Sequence, residues 1–177
     1  MIRLLTPICV LLLCACEQAA LEQPSAVSPH NLAERGETEQ LLKAISEKGE
    51  VDERDVCYRT PLMFAAQFGH LDTVERLLAA GARVDLHEKG YYTALMLAAG
   101  NGHGEVVEVL AAAGANIDEV EITRGWTALI WAANRGHAHT VQVLLGLGAD
   151  PKIRDDQGRL ARDWASMQGH PQVAALL

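Results

Sequence analysis

Thr60-Pro-Leu-Met-Phe-Ala-Ala-Gln-Phe-Gly-His70 returns as Thr93-Ala-Leu-Met-Leu-Ala-Ala-Gly-Asn-Gly-His103 and again as Thr127-Ala-Leu-Ile-Trp-Ala-Ala-Asn-Arg-Gly-His137. A fourth Gly-His stands at Gly169-His170, so the pairs recur at intervals of 33, 34 and 33 residues. A fixed period of this length marks stacked supersecondary units. Each block opens on a threonine whose hydroxyl can accept from the orphan amides of a helical first turn. Pro61 suits a first helical position. The alanine pairs Ala65-Ala66, Ala98-Ala99 and Ala132-Ala133 let two helices approach closely.

A second apolar run follows each block at helical spacing: Val74, Leu77 and Leu78, then Val106, Val107, Val109 and Leu110, then Val141, Val143, Leu144 and Leu145. Each run closes on Gly-Ala, at Gly81-Ala82, Gly114-Ala115 and Gly148-Ala149. Glycine there can adopt the left-handed conformation that often ends a helix. One such unit is too thin to bury its apolar face, so the units must stack.

Two weaker units flank the three. Gly36 lies 33 residues before Gly69 and precedes Gln40-Leu-Leu-Lys-Ala-Ile45. At the other end, Arg162 replaces the leucine of Leu62, Leu95 and Leu129, which suits an end unit with nothing stacked beyond it.

These motifs resemble the ankyrin repeat, with its Thr-Pro-Leu-His, Gly-His and Gly-Ala signature. The sequence departs from that pattern at the histidine of Thr-Pro-Leu-His, which is Met63, Met96, Ile130 and Asp163 here. The resemblance implies an all-α solenoid of about five helix-turn-helix units with β-turn fingers. Their approximate bounds are 28–54, 55–87, 88–120, 121–154 and 155–177.

The N-terminus reads differently. Arg3 precedes a short apolar stretch, Leu4 to Ala15, too brief to span a membrane and suited to a secretory signal. It ends Leu13-Cys14-Ala15-Cys16, which resembles a bacterial lipobox. By that resemblance residues 1–15 are removed and Cys16 is lipidated, leaving 16–27 as a tether with Pro24. The expected location is the cell envelope facing the periplasm, on the outer rather than the inner membrane.

The whole chain carries a net charge of −8, and loss of Arg3 would deepen it by one. That balance disfavours nucleic acid, whose binding needs phosphate neutralisation. It also disfavours direct adsorption to anionic lipid, so membrane contact is expected through the lipid chain. Cys57 would be the one thiol left to the mature array, which excludes an intramolecular disulfide. It reads either as a shielded turn residue or as a redox-sensitive contact.

The sequence has no His-Glu-x-x-His, Gly-x-Ser-x-Gly, P-loop or Cys-x-x-Cys pattern. The four Gly-His histidines would lie one unit apart, on the order of 10 Å, too far to share an ion. They read as turn residues bonding backbone. Asp155-Asp156 and Glu119 with Glu121 read as solvated fingertips. No cofactor and no metal are expected, and the chain is read as a non-enzyme.

The ankyrin resemblance implies that a partner is held by the fingers and the exposed face of each first helix. Carried onto this chain, the contact positions before the threonine are Arg59, Tyr92 and Trp126, with Arg159 in the last unit. The positions before Gly-His include Gln67 and Phe68, Asn101, and Asn134 and Arg135. Lys89 and Arg124 join them at the fingertips, with Val56 and Cys57. Tryptophan, tyrosine and arginine dominate binding energies. The expected partner is another protein with an acidic or mixed surface, bound by a monomeric array.

Trp131 and Phe64 stand at a core leucine position and are expected to be buried. The stretch from Ala115 to Thr127 is one residue longer than its counterpart and alternates apolar with charged residues, as a local strand would. The expected function is non-catalytic protein binding as an adaptor or envelope-protective factor. The alternatives are an immunity or inhibitor protein against a periplasmic toxin and, less favoured, a small-ligand-binding protein or enzyme.

Overall fold

The computed structural model describes residues 28–177. The signal, Cys16 and the tether lie outside the described residues. Ten helices follow in order: α1 (Pro29–Arg35), α2 (Thr38–Lys48), α3 (Pro61–Gln67), α4 (Leu71–Ala79) and α5 (Ala94–Gly100), then α6 (Gly104–Ala112), α7 (Ala128–Arg135), α8 (Ala138–Gly146), α9 (Ala161–Met167) and α10 (Pro171–Ala174). They form five antiparallel pairs. The odd-numbered helices pack on one another in sequence order, and the even-numbered ones form a second layer behind them. The array is an all-α solenoid. No strand occurs among the described residues; the longer third finger is built of turns.

Each inner helix starts as its threonine dictates. The hydroxyls of Thr60, Thr93 and Thr127 accept from the backbone N–H of Met63, Met96 and Ile130. Leu160 cannot do this. In α9 the order is reversed, and Asp163 reaches back to accept from the Leu160 N–H at 2.9 Å. The residues that depart from the ankyrin histidine thus take two roles. Met63, Met96 and Ile130 are buried in the core, and Asp163 caps its helix.

The core runs the length of the stack. Leu62, Leu95 and Leu129 lie under the inner helices. The alanine pairs are wholly buried where neighbouring units meet, and Val74, Leu77, Val107, Leu110, Val141 and Leu144 line the outer layer. Arg162 is exposed on the last unit. Cys57 is buried in the first finger, as a shielded turn residue and not as a surface contact.

The Gly-His motif is an inter-unit clamp. His70 donates from Nε2 to the Glu34 carbonyl at 2.7 Å, His103 to Gln67 at 3.1 Å and His137 to Gly100 at 3.1 Å. Each imidazole therefore grips the helix end of the preceding unit. Glycine is required beneath it: at Gly69, with φ of 75°, an added Cβ would fall 2.5 Å from Nδ1 of His103.

Burial holds the His137 imidazole below the ordinary histidine range, against the opposing hydrogen bond to Gly100, and Arg135, His103 and His170 add to the lowering. The unfolded chain binds that proton first. The stabilisation is thus full above the ordinary histidine pKa of about 6.5 and is lost as pH falls through the folded value. The melting temperature is expected to fall between about pH 7.5 and pH 5.5, and His137→Gln to flatten part of that fall. An unchanged pH profile in the variant would contradict this account.

Candidate functional site

Every finger is organised by one carboxylate that turns inward onto backbone amides. Asp55 Oδ1 accepts from the N–H of Cys57 and of Arg59, both at 2.8 Å. Glu88 accepts from Gly90 at 2.6 Å and Tyr92 at 3.4 Å. Asp155 accepts from Gln157 at 2.9 Å and Arg159 at 2.8 Å. The longer third finger uses glutamate: Glu121 accepts from Arg124 at 3.0 Å and Trp126 at 3.3 Å through one oxygen, and from the Thr123 N–H and hydroxyl through the other.

Glu121 and Asp155 are therefore not solvated fingertips. They are 0% and 6% exposed, because their oxygens satisfy amides that the finger would otherwise bury unpaired. Burial alone would raise the Asp155 carboxyl. The Arg159 and Gln157 backbone, the Trp164 indole N–H and the Arg159 guanidinium together outweigh it and hold the group below the usual carboxylate range.

These carboxylates position the residue before each inner helix. Arg59 pairs with Asp55 at 2.9 Å and lies 4.3 Å over the Phe64 ring. Arg159 repeats the arrangement in the last unit, paired with Asp155 at 3.2 Å and 3.7 Å over Trp164. Phe64 is buried. Tyr92 is half-buried, its hydroxyl 3.1 Å from that of Thr123, and burial raises its pKa above the ordinary tyrosine range.

Trp126 corrects the expectation of an exposed contact. It is 3% exposed. Its ring meets Trp131 at 4.7 Å and Trp164 at 4.6 Å, both edge to face. Trp131, expected in the core, is instead half-buried and meets Tyr92 at 5.6 Å. The four rings Tyr92, Trp131, Trp126 and Trp164 form one aromatic ladder across three units. Trp131 and Trp164 were missed as site residues. The signal was present, since the position four after the cap residue (Trp131 after Thr127, Trp164 after Leu160) lies one helical turn on and so on the same face.

Cations cover this ladder. Arg124 lies 5.0 Å over Trp126 and 5.6 Å over Trp131, and Arg135 lies 5.6 Å over Trp131. The other predicted residues are spread along the same flank. Phe68, Lys89 and Asn101 are exposed; Gln67 and Asn134 are half-buried. Gln67 contributes its carbonyl to His103, and Asn101 donates to the Leu97 carbonyl at 2.8 Å.

Between the fourth and fifth units a cleft of about 330 Å³ is lined by Arg124, Trp126, Asn134, Gln157, Arg159, Trp164 and Gln168. No carboxylate lines it. Its groups are two guanidinium cations, three side-chain amides and two indoles. Among the described residues the Trp126 indole N–H has no acceptor. Such a lining suits an anionic group. Among the described residues no cluster of His, Cys, Asp or Glu is arranged to hold a metal ion. Nor is any described helix long and apolar enough to cross a membrane.

The family model described as ankyrin repeats in three copies matches residues 30–121 and again 116–177. No curated protein matches the chain. Ankyrin arrays are protein–protein interaction modules and are generally non-catalytic scaffolds. The chain belongs to the ankyrin-repeat family.

Proposed function

We propose that the chain is an extracytoplasmic adaptor, tethered by lipid on Cys16, that holds an acidic surface of another protein against the arginine-covered aromatic ladder. The observation that carries the reading is the cleft around Arg124, Asn134 and Arg159, lined by two guanidinium groups, three side-chain amides and two indoles, on a chain of net charge −8. A partner carboxylate there would meet guanidinium forks already positioned by stacking, which lowers the ordering cost of binding. The apolar stretch 4–15 followed by Cys16 supports the anchor.

The test places a photocrosslinking residue at Gln157 in intact cells. One protein is expected to crosslink, and Arg124→Glu with Arg135→Glu to cut its yield at least roughly tenfold by charge repulsion. Cys16→Ser is expected to leave the crosslink and move the complex from the membrane to the soluble fraction. An undiminished crosslink in the double variant refutes the acidic-partner reading. Retention of the Cys16→Ser complex in the membrane refutes the anchor.

A further inference from the structure

Where units join behind the fingers, an aspartate in the loop after one outer helix ties it to the next loop. Asp52 accepts from the Arg83 backbone N–H at 3.1 Å, and Asp118 accepts from the Asp150 N–H at 3.0 Å. By the repeat, Asp85 after α4 should accept from the Asn116 N–H after α6. It does not. Among the described residues the Asp85 carboxylate has no hydrogen bond and no ion pair. Asn116 turns onto its own loop instead, its side chain accepting from the Asp118 N–H at 3.2 Å and donating to Glu119 at 2.7 Å.

A cavity of about 260 Å³ opens at this junction, between the second and third units. Asp85 and Glu119 line it with two carboxylates. Tyr91 and His87 give it a flat wall, their rings stacked at 4.0 Å with planes 10° apart. Val84 and Ala115 add apolar surface.

The charges around it are accounted for. No lysine or arginine lines the cavity. Arg83 pairs with Asp52 at 3.3 Å, and Lys89 lies 5.6 Å from the Tyr58 ring centre. Glu88 is turned onto the amides of its own finger, and His87 donates from Nδ1 to the Glu88 carbonyl at 3.2 Å. The two carboxylates of the lining are thus left without a cation. Among the described residues no group of His, Cys, Asp or Glu is arranged to hold a metal ion. The lining therefore asks for a cation that brings hydrogen-bond donors and an apolar body. An aliphatic ammonium has both, stays charged at neutral pH as a lysine does, and is attracted to an aromatic face.

We propose that this cavity binds a small aliphatic diamine in its diammonium form, with the ammonium groups toward Asp85 and Glu119 and the methylenes against Val84, Ala115 and the Tyr91 ring. The site goes beyond the protein-binding reading and is independent of it, since it lies two junctions away from the cleft between the fourth and fifth units.

The test is titration calorimetry of the full chain purified in non-ionic detergent, with diaminobutane as the probe. Saturable binding below about 1 mM is expected, together with a shift of the Tyr91 ring resonances. Asp85→Asn and Glu119→Gln are each expected to weaken it roughly three- to fivefold, the weight of one exposed ion pair. Together they should weaken it by about tenfold or more. The melting temperature of Asp85→Asn without diamine should equal that of the parent, because its carboxylate has no bond to lose. Should Glu119→Gln prove less stable, Asp85→Asn decides alone. Absence of saturable binding overturns the proposal, as does undiminished binding by Asp85→Asn. Equal affinity for butanediol would show that charge is not read, and equal affinity for butylamine that the second ammonium is not. Displacement of the diamine by an equal concentration of calcium would make this a metal site; each of these results is likewise fatal. No partner protein enters the experiment, so its failure leaves the crosslinking test at Gln157 untouched.

Discussion

Trp126→Ala is expected to destabilise the array by about 3–5 kcal/mol, the range for removing a large buried aromatic side chain. The residue lies between the fourth and fifth units, with Trp131 at 4.7 Å, Trp164 at 4.6 Å and Arg124 at 5.0 Å. Deleting the indole leaves a cavity that the two facing helices can close only in part by moving together. Because stability in such arrays is a sum over units and their interfaces, the loss falls on the contact between the fourth and fifth units. Urea unfolding should show a lower midpoint, and hydrogen exchange should rise in α7 and α9 before α3. Trp126→Phe retains a ring and should lose less. A cost under about 1 kcal/mol for the alanine variant would contradict the buried position. The result also governs how binding experiments are read: loss of partner capture in Trp126→Ala would report unfolding as readily as contact.

Gly69→Ala is the second large effect, about 3 kcal/mol, from backbone strain of roughly 1–2 kcal/mol and a lost interunit hydrogen bond of about 1 kcal/mol. The new Cβ would fall 2.5 Å from Nδ1 of His103, so the imidazole must leave the Gln67 carbonyl. The two residues are therefore coupled. In a His103→Ala background the ring is gone, and Gly69→Ala should cost only its backbone strain. A double-mutant cycle by chemical denaturation measures this directly. Additive costs would show that the imidazole and the glycine do not share the site.

The fold was legible because its determinants are periodic. Threonine caps, alanine pairs and Gly-His recur in phase, and each has a local physical reason to sit where it does. The site was legible only as a flank. The position before the threonine was expected to point outward at Arg59, Tyr92, Trp126 and Arg159, yet the side chain decides the outcome. Arginine folds over a neighbouring ring and keeps its head partly wet, while tryptophan at Trp126 is large and apolar enough to be drawn between units. Trp131 moved the other way: the position is half-buried at Leu97 as well, and the Trp131 ring lies edge to face with Trp126. The finger acids looked solvated because exposure is common for carboxylates. Only the three-dimensional path of the loop shows how many amides Glu121 must satisfy.

The third finger illustrates the same limit. Alternation of apolar and charged residues is the pattern of a strand, but a strand needs a neighbour to pair with. Here the Glu121 oxygens take the N–H groups of Thr123, Arg124 and Trp126 first. The residual exposure of Ile122 is the consequence.

The histidine clamps all face one way. His70, His103 and His137 each reach back to a carbonyl of the unit synthesised before their own. His30 alone reaches forward, to the carbonyls of Glu53 and Arg59 at 2.9 and 3.1 Å, and so fastens the first unit to the start of the second. A growing chain therefore carries, with each later unit, the fastener for one already made. Beyond the first unit, whose His30 waits on Glu53 and Arg59, assembly can proceed like a zip drawn from the amino end.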